Sequence, residues 1–426
     1  MPLPGIFWQT LLGLYLLAAT VQLVVWWGVF GKLGRWTLDV GRWTLDVGRW
    51  TLDIGRKTSD IGRWTLDIGY WTQPISVIIC ARNEAENLRR YLPAILAQQL
   101  ESEWELLVVD DASEDETPAV LQLFQEKNPE RMRVLRMAEK SSPGKKYALA
   151  QGISAAKYDL LLLTDADCEP ASPYWLAHMA ALLVEKPETE IVLGYGPMRA
   201  VSGSESNFHA PTDNSKSSEE YKQNTHLNLW SRYETAFVAA QYCSLALVGL
   251  PYMGVGRNLA FKRQVFDRVG GFADHAHILS GDDDLLVNAA SNARNTALCL
   301  APDAFVYSNT PSTWSAWLRQ KQRHLLAGSA YQWHHKILLA MLGLSQVGFY
   351  FLFALLVLVG FAPEIVLSIF ILRLFSVVFI FGKILRVLRE PGLWWRIPWL
   401  DPLMAVYYGL LVPWVLVGKK RVGWGA

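Results

Sequence analysis

Charged side chains are scarce in this sequence. Asp, Glu, Lys and Arg make up 19% of its 426 residues, where a soluble domain carries about 25%. Neither sign dominates: 40 Lys and Arg stand against 39 Asp and Glu. The basic excess of a nucleic-acid-binding surface is missing, so no nucleic-acid partner is expected. Cysteine is sparse too. Cys80, Cys168, Cys243 and Cys299 are the only four, no two form a CxxC pair, and a zinc or redox site of the usual spacing is excluded. Cys80 and Cys168 each end an apolar strand-like run, the setting of a reduced buried thiol, and the main domain reads as a cytosolic one. With 51% hydrophobic residues, the chain is neither disordered, nor collagenous, nor a small disulfide scaffold. The missing charge points to segments that lie in lipid.

Those segments sit at the two ends. Met1 to Gly31 holds no Asp, Glu, Lys or Arg, and Ile6–Phe30 exceeds the roughly 20 residues that span a hydrocarbon core. With no charged n-region and no clear cleavage site, residues 1–31 read as a retained anchor rather than a signal peptide. Lys32 and Arg35 follow and place the next domain in the cytoplasm. Residues 337–418 read as a second membrane region of two or three spans: Ile337–Pro363, Glu364–Phe381 with Arg373 inside it, and a shorter run Pro402–Gly418. Arg373 in a span marks a function, a snorkelling side chain or a pair. Between the last two runs lie Lys383, Arg386, Arg389, Trp394, Trp395 and Arg396, a composition suited to the membrane interface. Residues 419–426 form a basic tail. A last span would carry Lys419, Lys420 and Arg421 to the outer side, against the charge rule, so re-entrant and spanning readings of 402–418 both stand.

Residues 32–72 read as a linker built on a repeat. Positions 34–68 are five tandem heptapeptides: GRWTLDV twice, then GRWTLDI, GRKTSDI and GRWTLDI. Apolar residues alternate within each copy, the strand period, and glycine breaks each unit. The expected role is a spacer of short extended pieces, with a Trp- and Arg-bearing binding surface as the other reading.

From residue 73 to 330 the pattern becomes strand, helix, strand, helix. Ile75–Cys80, Glu105–Val109 and Tyr158–Thr164 read as strands and Glu84–Gln99 as a helix, which predicts an α/β domain with a mostly parallel sheet. Polar clusters at the carboxyl ends of such strands mark a ligand crevice. Here they are Arg82-Asn83-Glu84, Asp110-Asp111 and Asp165-Ala166-Asp167. An Asp-x-Asp pair offers the hard oxygen ligands that Mg²⁺ or Mn²⁺ bridging a diphosphate requires, although alone it equally makes a turn. Downstream come the glycine turn Gly254-Val255-Gly256-Arg257-Asn258, the triplet Asp282-Asp283-Asp284, and Gln320-Lys321-Gln322-Arg323-His324. Three adjacent acids repel unless they are solvated, cap a helix or serve a site. His275 and His277 read as bystanders. Val201–Asn228 reads as a polar loop, an insertion or an acceptor lid. Ala236–Gly254, apolar but interrupted by Gln241 and Pro251, reads as a domain helix near the membrane surface.

Taken in order, these segments resemble a membrane-anchored family 2 glycosyltransferase across about Gln73–Gly328. Pro74 to Glu84 resembles the opening strand and nucleotide loop, Val108 to Ser113 the second strand, Gly144-Lys145 the helix start beside the nucleotide, and Thr164 to Asp167 the metal motif. Gly254 to Phe261 resembles the acceptor-side turn. The triplet resembles the family's Glu-Asp motif, with Gly281 in place of Glu. Gln320-xx-Arg323-His324 resembles the Gln-x-x-Arg-Trp motif of processive members, with His324 in place of Trp.

The resemblance implies a GT-A-type, Rossmann-like nucleotide-sugar domain flanked by transmembrane helices, in an integral protein of the inner or plasma membrane with its catalytic domain cytoplasmic. It implies inverting transfer from a nucleotide-sugar donor to a saccharide or lipid-linked acceptor, in cell-envelope or exopolysaccharide glycan synthesis. Asp282, with Asp283 as the alternative register, is the implied base. Asp165 and Asp167 are the implied ligands of Mg²⁺ or Mn²⁺. Ala81, Asn83, Glu84, Asp110, Asp111, Lys145 and Asp165 are the implied donor site, and Gly256, Asn258, Gln320, Arg323 and His324 the implied acceptor and diphosphate side. A polyprenyl-phosphate sugar transferase is the alternative reading. Nucleotidyl transfer is a weaker one.

Overall fold

The computed structural model describes residues 5–36, 73–139, 144–199 and 225–413. The repeats from residue 37, most of the 201–228 loop and the basic tail lie outside the described residues.

In chain order, α1 (Gly5–Val24) continues through a widened π turn, Val25–Phe30, and a helical stretch to residue 36. The α/β-domain elements begin with β1 (Ile75–Ala81), α2 (Ala85–Leu96), β2 (Trp104–Asp110), α3 (Thr117–Lys127), β3 (Met132–Arg136), α4 (Lys146–Ala155) and β4 (Leu160–Asp165). They continue with β5 (Cys168–Pro170), α5 (Trp175–Glu185), β6 (Ile191–Gly194), α6 (Thr225–Leu247), β7 (Leu259–Lys262), α7 (Arg263–Arg268), α8 (Asp284–Ala290), β8 (Thr296–Cys299), β9 (Val306–Ser308) and α9 (Trp314–Gly328). The chain then runs into α10 (Trp333–Leu358), α11 (Pro363–Val387) and α12 (Ile397–Val406).

The main sheet has seven strands in the order β3-β2-β1-β4-β7-β6-β8. All pairings are parallel except those of β7, which runs against β4 and β6. The apolar runs of β1, β2 and β4 follow from helices covering both faces. Ile75, Val77 and Ile79 enter one core with α2 and α5, while Ile78 enters another with α4. Each such side chain contributes about 1.5–3 kcal/mol on burial.

Register decides where the chemistry falls. Ala81 pairs with Asp110, and Cys80 pairs with Asp165, so three polar strand ends meet at one edge. Because β7 is antiparallel to β4, with Leu259 opposite Leu163, the glycine turn before β7 arrives at that same edge.

Among the described residues, three helices are long and apolar enough to cross a membrane: Gly5–Trp36, Trp333–Leu358 and Pro363–Val387. The first outruns the expected 1–31 anchor. Residues 32–36, assigned to the linker, continue the helix because Leu33 is fully buried and Gly34 packs on Ile380 and Lys383 of α11. The run at 402–418 is described to residue 413. There α12 continues through a π turn, Tyr407–Leu411, and two further helical residues to 413. Thr225–Asn228, expected in the polar loop, open α6 instead: Leu227 is buried and Asn228 donates to the Arg199 carbonyl at 2.8 Å.

Arg373 pairs. Its guanidinium binds the Asp401 carboxylate and donates to Tyr350 Oη at 2.7 Å and Gln22 Oε1 at 3.0 Å. The partner was invisible in the sequence because Asp401 stands just before the apolar run at 402.

One core joins the two regions. Trp26, Phe30, Tyr233, Phe237, Phe381 and Ile384 belong to the same buried cluster as Leu163 and Phe261 of the sheet. All four cysteines are free thiols.

Candidate active site

The loops after β1 and β2 are laced together. Asn83 and Ala112 both take left-handed backbone, at φ 56° and 54°, a conformation costing a non-glycine residue roughly 1–2 kcal/mol. The surroundings hold it. Asn83 Oδ1 accepts from Glu114 N–H at 2.8 Å, the Asn83 N–H donates to Ser113 Oγ at 3.0 Å, and Asp110 Oδ1 accepts from Ser113 N–H at 3.0 Å. Asp111 is buried, and its N–H donates to the Ala81 carbonyl at 2.9 Å. A cavity of about 430 Å³ opens beside these loops, lined by Asn83, Glu84, Asn87, Arg89 and Asp115 among others. Ala81 contributes only backbone there, since its methyl is buried in the core.

At the end of β4, Asp165, Asp167 and Cys168 bring two carboxylates and a thiol within 4.8 Å of one another. Lys145, at the start of α4, donates to Asp165 Oδ1 at 2.9 Å, and the same ammonium lies 3.0 Å from Asp282 Oδ2. Gly144 allows this approach: its φ is +84°, and a Cβ there would sit 2.7 Å from the Leu279 carbonyl. Burial works against the Lys145 charge, but Asp165, Asp282 and Asp283 outweigh it and hold the ammonium well above its ordinary pKa. Burial likewise opposes ionisation of Asp165, yet the Lys145 ammonium and Arg257 keep that carboxyl below its usual range. Asp167 is pushed up by burial and by Asp165. Glu84 is pushed up by burial and by the Asp167 and Asp165 charges, against a hydrogen bond from Asn87.

The triplet divides its labour. Asp283 caps α8, accepting from the Asp284 N–H at 2.8 Å, and it also accepts from the Gly256 N–H at 2.5 Å. Both of its oxygens accept from backbone N–H groups. Asp284 accepts from Tyr331 Oη at 2.7 Å. Asp282 is buried, and its Oδ2 has ion-pair contact with Lys145 but no directional hydrogen bond. A buried carboxylate oxygen in that state is costly. Sequence spacing left the register open by one residue, and here Asp283 caps α8 while Asp282 meets Lys145.

Gly256 serves the site through Asp283, since a Cβ there would meet that carboxylate at 3.1 Å. Asn258 is removed from the ligand set. Its amide nitrogen donates to the Tyr195 and Ala304 carbonyls at 2.9 and 2.8 Å, and its Oδ1 accepts from Trp175 Nε1 at 2.9 Å. With no exposure it staples three segments under the site.

Arg323, on α9, lies near enough to Asp282 to feel its charge, and Ser280 Oγ donates to the Arg323 carbonyl at 2.6 Å. Gln320 Oε1 is buried with no partner, and His324 is exposed on the same helix. Two residues escaped the sequence reading. Arg257 lies near both Asp165 and Asp167 and donates to Ser308 Oγ at 2.5 Å; an Arg inside a glycine turn was its only signal. Lys146 donates to the His275 and Ile278 carbonyls, so His275 serves here through its backbone.

Burial, and then the Asp283 charge, lift Asp284 to about 8. The folded protein therefore holds a proton that the unfolded chain, with an ordinary carboxyl near 4, releases. Stability is expected to fall as pH rises from about 4 to about 8 and to level off above that. Asp284→Asn is expected to flatten this slope in a series of thermal melts between pH 5 and 9.

Comparison with known proteins agrees with this geometry. The Glycosyl transferase family 2 model matches residues 76–247, and the Glycosyl transferase family group 2 model matches residues 219–416. The chain is 23% identical over 257 residues to the probable glycosyltransferase YdaM of Bacillus subtilis, covering 58% of this chain and 54% of the relative. The chain thus spans about half that relative's length. It is 26% identical over 291 residues to glycosyltransferase AglE of Haloferax volcanii, covering 68% and 82%. A solved mannosyltransferase from Pyrobaculum calidifontis, in complex with GDP-Man and Mn²⁺, superposes with a TM-score of 0.51 at 17% identity, covering 95% of this chain and all of that one. The two models together span residues 76–416, and the chain belongs to glycosyltransferase family 2, with a GT-A-type fold and helices suited to a membrane.

Proposed function

We propose that this protein moves a sugar, with inversion, from a nucleotide-sugar donor to a saccharide or lipid-linked acceptor at the cytoplasmic face of the membrane. The observation that carries this reading is the meeting of Asp165 and Asp282 at the Lys145 ammonium, 2.9 and 3.0 Å away. One carboxylate belongs to a cation-binding pair and the other is a buried base.

The nucleotide occupies the cavity between the β1 and β2 loops, with Asn83, Glu84, Asp110 and Asp111 around it. Asp282 Oδ2 takes the proton of the acceptor hydroxyl as its oxygen bonds to the anomeric carbon. The bond from that carbon to the diphosphate oxygen breaks, and its electron pair leaves with the nucleoside diphosphate. Lys145 and Arg323 face that charge, with Gln320 as a polar contact. The two carboxylates fit a divalent cation, and Mg²⁺ or Mn²⁺ held by Asp165 and Asp167 would neutralise the leaving group. The acidic, lysine-bridged cleft supports this fit: removing Lys145 from Asp165 leaves two close carboxylates in need of a cation.

The test uses the full chain in lipid bilayers with Mn²⁺ and a panel of nucleotide sugars, following released diphosphate and separating lipid-linked monosaccharide from extended glycan. Asp167→Asn is expected to lower turnover about 100-fold or more and to weaken the response to Mn²⁺. Turnover unchanged by chelator and by that substitution would reject the metal role. Absence of release from every donor would reject sugar transfer itself.

A further inference from the structure

Two buried ion pairs leave α6 from nearly the same point. Arg232 binds the Glu390 carboxylate, donating from Nε at 3.1 Å. Glu234 accepts from Lys321 Nζ at 2.5 Å. Residues two apart on a helix point about 200° from one another, so one pair reaches the turn after α11 and the other reaches α9. Tyr233, between them, packs its ring edge-on to Phe381 of α11 at 5.5 Å. This single turn of α6 therefore acts as a strut between the membrane helices and the helix that carries Gln320 and Arg323.

Lys321 sits between those two site residues but serves the opposite face of α9. Its exposure is 7%, and that of Glu234 is 3%. A lysine so buried is rare without a partner. One helical turn earlier, Trp317 is 6% exposed and packs between Trp230 at 6.1 Å and Tyr407 at 5.9 Å. Trp317 and Lys321 thus form an i, i+4 edge that fixes how α9 is rotated about its axis. Rotation of α9 in turn sets where Gln320 and Arg323 stand beside the Asp282 loop, to which α9 is tied by the Ser280 hydroxyl.

We infer that Lys321 is a positioning residue: its ion pair with Glu234 sets the rotation of α9 and so aims Arg323 at the leaving diphosphate, without itself touching substrate. This rests on the sugar-transfer reading above. Misplacing a catalytic group by about an ångström costs on the order of 100-fold in rate. The nucleotide loops after β1 and β2 lie on other elements, so donor KM is expected to stay within about threefold.

The experiment compares the full chain in lipid bilayers with Lys321→Met, Lys321→Arg and the double variant Glu234→Leu/Lys321→Met. Turnover is expressed per nucleotide-binding molecule, counted with fluorescent UDP or GDP, whichever the unsubstituted protein binds. Lys321→Met and the double variant are expected to lose about 100-fold in kcat, with nucleotide sites and KM retained. Lys321→Arg, which keeps the pair, is expected to stay within a few-fold of the parent. The double variant removes both buried charges, an exchange often neutral for stability, so it separates aim from folding. Unchanged kcat in Lys321→Met or in the double variant would overturn the inference. So would a loss of nucleotide sites in both, because the pair would then hold the fold rather than the rotation of α9. If the parent releases no diphosphate from any sugar nucleotide, sugar transfer fails instead, and that result is read separately.

Discussion

Asp282→Asn is expected to lower turnover about a thousandfold while leaving nucleotide binding and thermal stability close to the parent's. Asparagine keeps the shape of the side chain but cannot accept the acceptor's proton, and general-base catalysis contributes roughly 10²–10⁴-fold. The neighbouring substitution makes the contrast. Asp283→Asn keeps one oxygen for the α8 cap, where Asn serves about as well as Asp, while its amide NH₂ replaces the oxygen that accepts from the Gly256 N–H. Turnover there is expected to fall by no more than about tenfold. Rates for both variants, measured beside nucleotide-binding titrations, decide the matter. Equal losses, or a larger loss in Asp283→Asn, would move the base to position 283 and give the cap a catalytic role.

The second large effect is expected in the membrane region. Arg373 is 1% exposed and Asp401 not at all, and Asp401 also accepts from Gln346 Nε2 at 3.1 Å. With Gln22 and Tyr350 they link all four of α1, α10, α11 and α12. Taking charge out of water is repaid here only by complete pairing. Arg373→Met leaves a buried carboxylate with no cation and is expected to destabilise the protein by about 3–5 kcal/mol. Arg373→Met/Asp401→Leu removes both charges and is expected to recover part of that loss. What remains is about 1–3 kcal/mol for each donor of Tyr350 and Gln346 left without its acceptor. Thermal unfolding of the full chain in lipid measures both. A double variant no more stable than the single one would mean that the cluster does more than balance charge.

The strands of the catalytic domain were legible because they are local. Ile75–Cys80 and Glu105–Val109 carry apolar runs that the sheet extends by a residue or two at their ends. The acids at 110 and 165 were legible for the same reason, since each directly follows a buried strand run. Helix ends were less so: α6 begins within the polar stretch expected to be a loop, because Leu227 finds a core from elsewhere in the chain.

By itself the sequence determined the α/β order, the apolar ends and the acids that gather at one sheet edge, since strand periodicity, span length and side-chain chemistry are properties of short stretches. The tertiary structure alone decided that Asp283 caps α8 while Asp282 meets Lys145, that Asn258 is spent on the scaffold, and that Arg373 and Lys321 have carboxylate partners. Those outcomes depend on pairings between distant segments, where the direction of a side chain is set by the hydrogen bonds and burial that only the folded chain supplies.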